Sequence, residues 1–155
     1  MKKMPPIEKV YEAFSAMADG RVTMGQDASR DAGSAQVVSS DGTKTYALAW
    51  RGRTFSSTDN ASYWQGYPGY PVIAVLLALG VLAAPQGVMD EFAGVNWHDV
   101  NKRFKRDYAA AAQEVFEERG ITGPAADEAR SAAQAVYEQL ACLDLTIVRK
   151  LKPAE

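Results

Sequence analysis

The chain has 155 residues, 47% of them hydrophobic and 23% charged, with a net charge of −2. That excludes a disordered or low-complexity polymer and provides enough chain for one buried core without staples. It also excludes a global attraction to nucleic acid or anionic membrane, so any such contact needs a local patch.

A single cysteine, Cys142, rules out an intramolecular disulfide and fits a reducing, cytoplasmic setting. Lys2 and Lys3 are followed by Met4-Pro5-Pro6 instead of an apolar run, so no secretory leader is expected. The longest apolar stretch, Val72 to Ala84 broken by Gly80, is too short to span a membrane.

Pro5-Pro6 opens a first helix, because proline lacks the N–H that a first turn leaves unpaired. Ile7, Val10, Tyr11, Phe14 and Met17 then form one apolar face, and Asp19-Gly20 stops it. Val22 and Met24 alternate with polar neighbours as in a short strand, and the small polar residues 25–34 predict an exposed loop. Asp41-Gly42 between residues 36–40 and 43–50 predicts a two-residue hairpin turn, since glycine accepts positive φ freely. Within the second strand Tyr46, Leu48 and Trp50 share one face. Arg51-Gly52 turns the chain into a third strand ending near Phe55 or Ser57.

An aromatic loop follows. Five aromatics, Phe55, Tyr63, Trp64, Tyr67 and Tyr70, fall between Phe55 and Pro71, where an apolar helix starts and runs to about Leu82. That helix is hydrophobic nearly all round and should lie deep against the sheet. Val88 to Phe92 adds a helical turn. Asn96 then caps a helix whose stripe is Trp97, Val100, Phe104, Tyr108, Ala111 and Val115, ending at Gly120. A last helix opens at Gly123-Pro124, with Ala129, Ala132, Ala133, Val136, Tyr137 and Leu140 inward. Residues 143–151 fit a continued helix or a late strand, and helix is preferred.

The expectation is an α+β fold. A small antiparallel meander of three to four strands packs against an N-terminal helix and a buried apolar helix, with two C-terminal helices added. It is read as a single domain over 1–155, comprising a 5–84 half and an 85–155 helical extension.

Residues 7–83 resemble the SWIM domain, a ββα zinc module patterned C-x-C, gap, C-x-H. The resemblance rests on Gly20-Arg21-Val22 after a short helix, on the hairpin from Val38 to Leu48, and on Val72-Ile73-Ala74-Val75-Leu76-Leu77-Ala78-Leu79. It places Ser56 and Thr58 at about the first ligand pair and Gly69 and Pro71 at the second. None of these binds zinc, so the resemblance implies a degenerate, metal-free module with no cofactor, pinned by Tyr63, Trp64, Tyr67 and Tyr70 instead. SWIM modules are thought to bind nucleic acid or protein.

Two readings of the loop stand. Either Tyr63 and Trp64 pack on Trp50 or the apolar helix while Asp59 and Asn60 make turn and cap bonds, or the aromatics form a recognition surface. Lys102, Arg103, Lys105 and Arg106 lie within five positions, with Lys102 and Arg106 four apart on one helix. They are either a solvated face or a phosphate grip. His98 beside Asp99 has the bland reading of a surface histidine, and Cys142 that of a small buried hydrophobe. No G-x-S-x-G elbow and no phosphate-cradling glycine motif is present, which leaves enzyme as the weakest class. The expected function is a non-catalytic binding module for an unknown protein partner. DNA or RNA binding through the Lys102–Arg106 face ranks second. An enzyme using Asp59, Asn60 or His98 ranks third.

Overall fold

The computed structural model describes residues 3–151, so Lys2 of the N-terminal lysine pair lies outside them. Helix α1 (Lys9–Ala18) leads through Gly20, at φ 65°, into β1 (Val22–Met24). β2 (Ala32–Val38), β3 (Thr45–Arg51) and β4 (Thr54–Ser57) follow, then a single π turn (Ala61–Gln65) and α2 (Tyr70–Ala78). The chain continues through α3 (Gln86–Asp90), α4 (Trp97–Arg103), α5 (Tyr108–Glu118) and α6 (Pro124–Leu143) to β5 (Thr146–Val148). The α+β class holds, with five strands in the order β1-β2-β3-β4-β5. β1 to β4 are antiparallel and β5 runs parallel to β4, so the sheet is mixed.

The pairing Leu48↔Ser57 and Trp50↔Phe55 sets the inward rows. Ala35, Val37, Leu48, Trp50 and Phe55 are buried, with the Trp50 and Phe55 rings stacked at 5.6 Å. Ser34, Gln36, Thr45 and Ala47 alternate with them on an open face. α2 lies under the sheet with Pro71 to Leu77 all buried. α1 packs against α2, α3 and α6. The core is continuous through both halves: Tyr11 lies 5.1 Å from Phe92 and 5.2 Å from Phe116, ring to ring. Ser15 Oγ donates to the Phe92 carbonyl (2.6 Å) and accepts from Trp97 Nε1 (2.7 Å), tying α1 to the turn that follows α3 and to α4.

Five local expectations are corrected. Residues 143–151 turn into a strand instead of extending the helix. Asp144 adopts a left-handed conformation (φ 51°), Arg53 Nη1 donates to the Leu143 carbonyl at 2.7 Å, and the β-branched Thr146-Ile147-Val148 joins β4. The helix expected from Trp97 to Gly120 is two helices. Lys105 and Arg106 take positive φ (53° and 66°), and their N–H groups bond back to the carbonyls of Lys102 and Asn101, a Schellman closure made without glycine. Asp107 then caps α5 through the Ala110 N–H. α2 ends at Ala78, not Leu82, because Gly80 makes the same closure onto Leu77 and Arg30 donates to the Leu79 and Gly80 carbonyls. The hairpin loop is four residues long, since Ser39 N still bonds Lys44 O. Cys142 is exposed, one position off the buried stripe that ends at Leu140.

Candidate functional site

The path from β4 to α2 is held by a buried carboxylate. Asp59 is 5% exposed; its Oδ1 accepts from the Ser57 hydroxyl and its Oδ2 from the Ser62 N–H (3.1 Å). Ser62 Oγ then accepts from Gly69 N at 3.0 Å, so a chain of polar groups spans both ends of the loop. Gly69 is required by contact, since a Cβ there would meet Asp59 Oδ2 at 2.0 Å. Asn60 is exposed and enters the π turn without a side-chain cap. Of the positions compared with zinc ligands, Thr58 Oγ1 accepts from Ala47 N and Pro71 is buried in the first turn of α2. Among the described residues no three His, Cys, Asp or Glu side chains gather as a metal set.

The loop aromatics divide. Tyr70 turns inward, edge-on to Tyr46 at 6.2 Å, and burial pushes its hydroxyl pKa well up. Tyr63, half-buried, meets Trp64 T-shaped at 4.7 Å, and Trp64 is 62% exposed. Trp64 does not pack as the plugging reading expected, and the Trp50 ring is stacked on Phe55. Arg149 braces the pair: its guanidinium carbon lies 5.4 Å from the Tyr63 ring and 5.0 Å from the Trp64 ring, and Nε donates to Tyr63 O. Lys3 mirrors it, with Nζ 5.3 Å from the Tyr67 ring and donating to Gln65 O. Lys3 also lines a groove of about 190 Å³ together with Met4, Pro68, Leu140, Leu145 and Asp144.

The basic run sits at the α4–α5 corner. Lys102, Lys105 and Arg106 are exposed, but Lys102 and Arg106 do not share a helix face because the helix is broken between them. Arg103 is engaged by Asp99 (3.3 Å) and by Glu118 (3.8 Å). Behind the corner, Lys9 pairs with Glu12 at 2.9 Å and stands 4.2 Å from the Tyr108 ring. Burial pulls the Lys9 ammonium down but Glu12 outweighs it, leaving Lys9 raised; burial pushes Glu12 up against the opposing pull of Lys9.

His98 is exposed and 4.0 Å from Asp41, a hairpin carboxylate held below its ordinary range by the Ser39 hydroxyl and then by the Thr43 N–H and hydroxyl. Asp59 and His98 do not converge, and neither lines the groove or the cleft of about 170 Å³ between α4 and α5. Lys3 and Arg149 were missed as site residues. A strand assignment for Thr146-Ile147-Val148 was the available signal, for it carries Arg149 level with Ser57, where β4 ends and the loop begins.

The geometry defines an α+β protein with a surface made of exposed aromatics, flanking cations and an apolar groove. The chain belongs to the family described as Uncharacterised conserved protein UCP014422, whose model matches residues 2–146. No curated protein and no solved structure matches it. No helix among the described residues is long and apolar enough to cross a membrane.

Proposed function

We propose that this is a non-catalytic binding module, cytoplasmic and metal-free, that recognises another protein through the Trp64 surface. One observation carries this. A tryptophan 62% exposed is held in place by Arg149 and Tyr63, and Lys3, which bonds the last residue of the same turn, lines an apolar groove. Exposed, preorganised tryptophan with arginine is the composition of interface hot spots, and water gains nothing from ordering it. The order of helix, hairpin, loop and apolar helix keeps the SWIM-like comparison within this proposal. The test is retention of proteins from the source cell by the immobilised chain against Trp64→Ala. The variant should keep its melting temperature, because little area is lost, and should release the retained protein. Equal retention by both proteins defeats the reading.

A second reading, nucleic-acid binding, draws on the exposure of Lys102, Lys105 and Arg106. It is weakened by Arg103, which is already bound to Asp99 and Glu118. Anisotropy of labelled DNA and RNA at two salt concentrations, with Lys102→Glu and Arg106→Glu, separates it: phosphate contacts weaken steeply with salt.

A further inference from the structure

Several cations of this molecule are paired with carboxylates. Lys9, Arg21, Arg103 and Arg130 each face a carboxylate: Glu12, Asp19, Asp99 with Glu118, and Asp127. Lys3 and Arg149 do not; among the described residues neither enters an ion pair, and their hydrogen bonds go to the neutral carbonyls of Gln65 and Tyr63. Arg30 and Arg53 also bond carbonyls, but at the ends of α2 and α6, where the helix dipole supplies negative charge. The π turn beneath Lys3 and Arg149 is five residues long and sums few peptide dipoles. Lys3 and Arg149 are therefore both held on the segment that carries the exposed tryptophan, and among the described residues neither is ion-paired.

Lys3 and α6 both line the groove, whose apolar residues Met4, Pro68, Leu140 and Leu145 have no donor side chain to offer a phosphate or a base edge. Asp144 on its rim opposes a continuous polyanion. We infer that the Trp64 surface takes an acidic segment of a partner protein, which seats one large apolar side chain in the groove and sets carboxylates on Lys3 and Arg149. This rests on the protein-binding reading above and adds to it the chemistry of the partner. Lys3 links the two parts of the surface, since the same ammonium rims the groove and bonds Gln65 of the turn that carries Trp64.

The experiment is selection of a random-peptide display library on the full chain. The peptides recovered are then synthesised and their affinities measured by fluorescence anisotropy. Enriched peptides should carry Asp or Glu within a few residues of a Leu, Phe or Trp. Their affinity should fall by at least about tenfold on Trp64→Ala and on Arg149→Glu, and less on Arg149→Gln. It should weaken as salt rises and strengthen on Asp144→Asn. Peptides that need Trp64 but are neutral or basic overturn the acidic-segment inference and leave the protein-binding reading standing. Failure to enrich any peptide that depends on Trp64 overturns both. So does Trp64-dependent binding of a thymidine oligonucleotide in place of every peptide.

Discussion

Asp59 is the residue on which the shape of the aromatic loop depends. Its carboxylate is buried and satisfied by the Ser57 hydroxyl and the Ser62 N–H, so removing it strands two donors away from water. Asp59→Ala should cost about 2–4 kcal/mol in urea unfolding, with Asp59→Asn losing less because one acceptor oxygen remains. Gly69→Ala should cost about 1–3 kcal/mol by overpacking, although its backbone (φ −76°) suits any residue, because the new Cβ meets Asp59 Oδ2. The two effects are coupled. In an Asp59→Ala background the carboxylate clash is gone and only the tight contact with Ala61 Cβ at 3.2 Å remains, so Gly69→Ala should then cost clearly less than it does alone. Additive losses in that double-mutant cycle would show that the carboxylate does not set the approach of α2 to the loop. Sequence reasoning reached Asp59 as a turn-former and placed the pinning energy in the aromatics. The burial of a lone aspartate between two serines has no pattern of its own in a single sequence.

At the scale of elements, what was legible follows from apolar patterning and what was not follows from local closures. α1, β3 and α6 each carry an apolar repeat that sets their type, and α2, apolar on every side, is buried along its length as expected. The α4–α5 break was hidden because the apolar stripe runs through it and no glycine marks it; Lys105 and Arg106 take the left-handed positions instead. The legible sign was Asp107, an N-cap ahead of Tyr108-Ala109-Ala110. This yields a test with opposite signs for the two geometries. Lys105→Gly and Arg106→Gly should each leave stability unchanged or raise it by up to about 1 kcal/mol, since glycine relieves positive φ. In an unbroken helix the same substitutions would lower it by about 1 kcal/mol. Thermal melts of the two single variants decide between them.

Across the whole molecule, residues 145–149 close the sheet and reach the aromatic loop. β5 is only three residues long, yet it covers the edge of β4, delivers Leu145 (7% exposed) and Ile147 to the core, and carries Arg149 to the aromatic loop. Ending the chain after Leu143 removes these together. The lost apolar burial alone is about 3–5 kcal/mol, taking Leu145 as fully and Ile147 as partly buried. A domain of this size holds roughly 5–15 kcal/mol in total, so the shortened chain should be marginal and not merely weakened. A second effect follows from topology. Without β5, the backbone of Thr54 to Ser57 becomes an open sheet edge that templates pairing with other chains. The chain ending at Leu143 should therefore show a lower urea midpoint together with concentration-dependent association by light scattering, whereas Leu145→Ala in the full chain should show the first without the second. An unchanged midpoint and a monomeric shortened chain would mean that β5 lies on the sheet without closing it. The bracing of Trp64 by Arg149 would then add nothing to the fold, and its conformation would have to come from the loop itself.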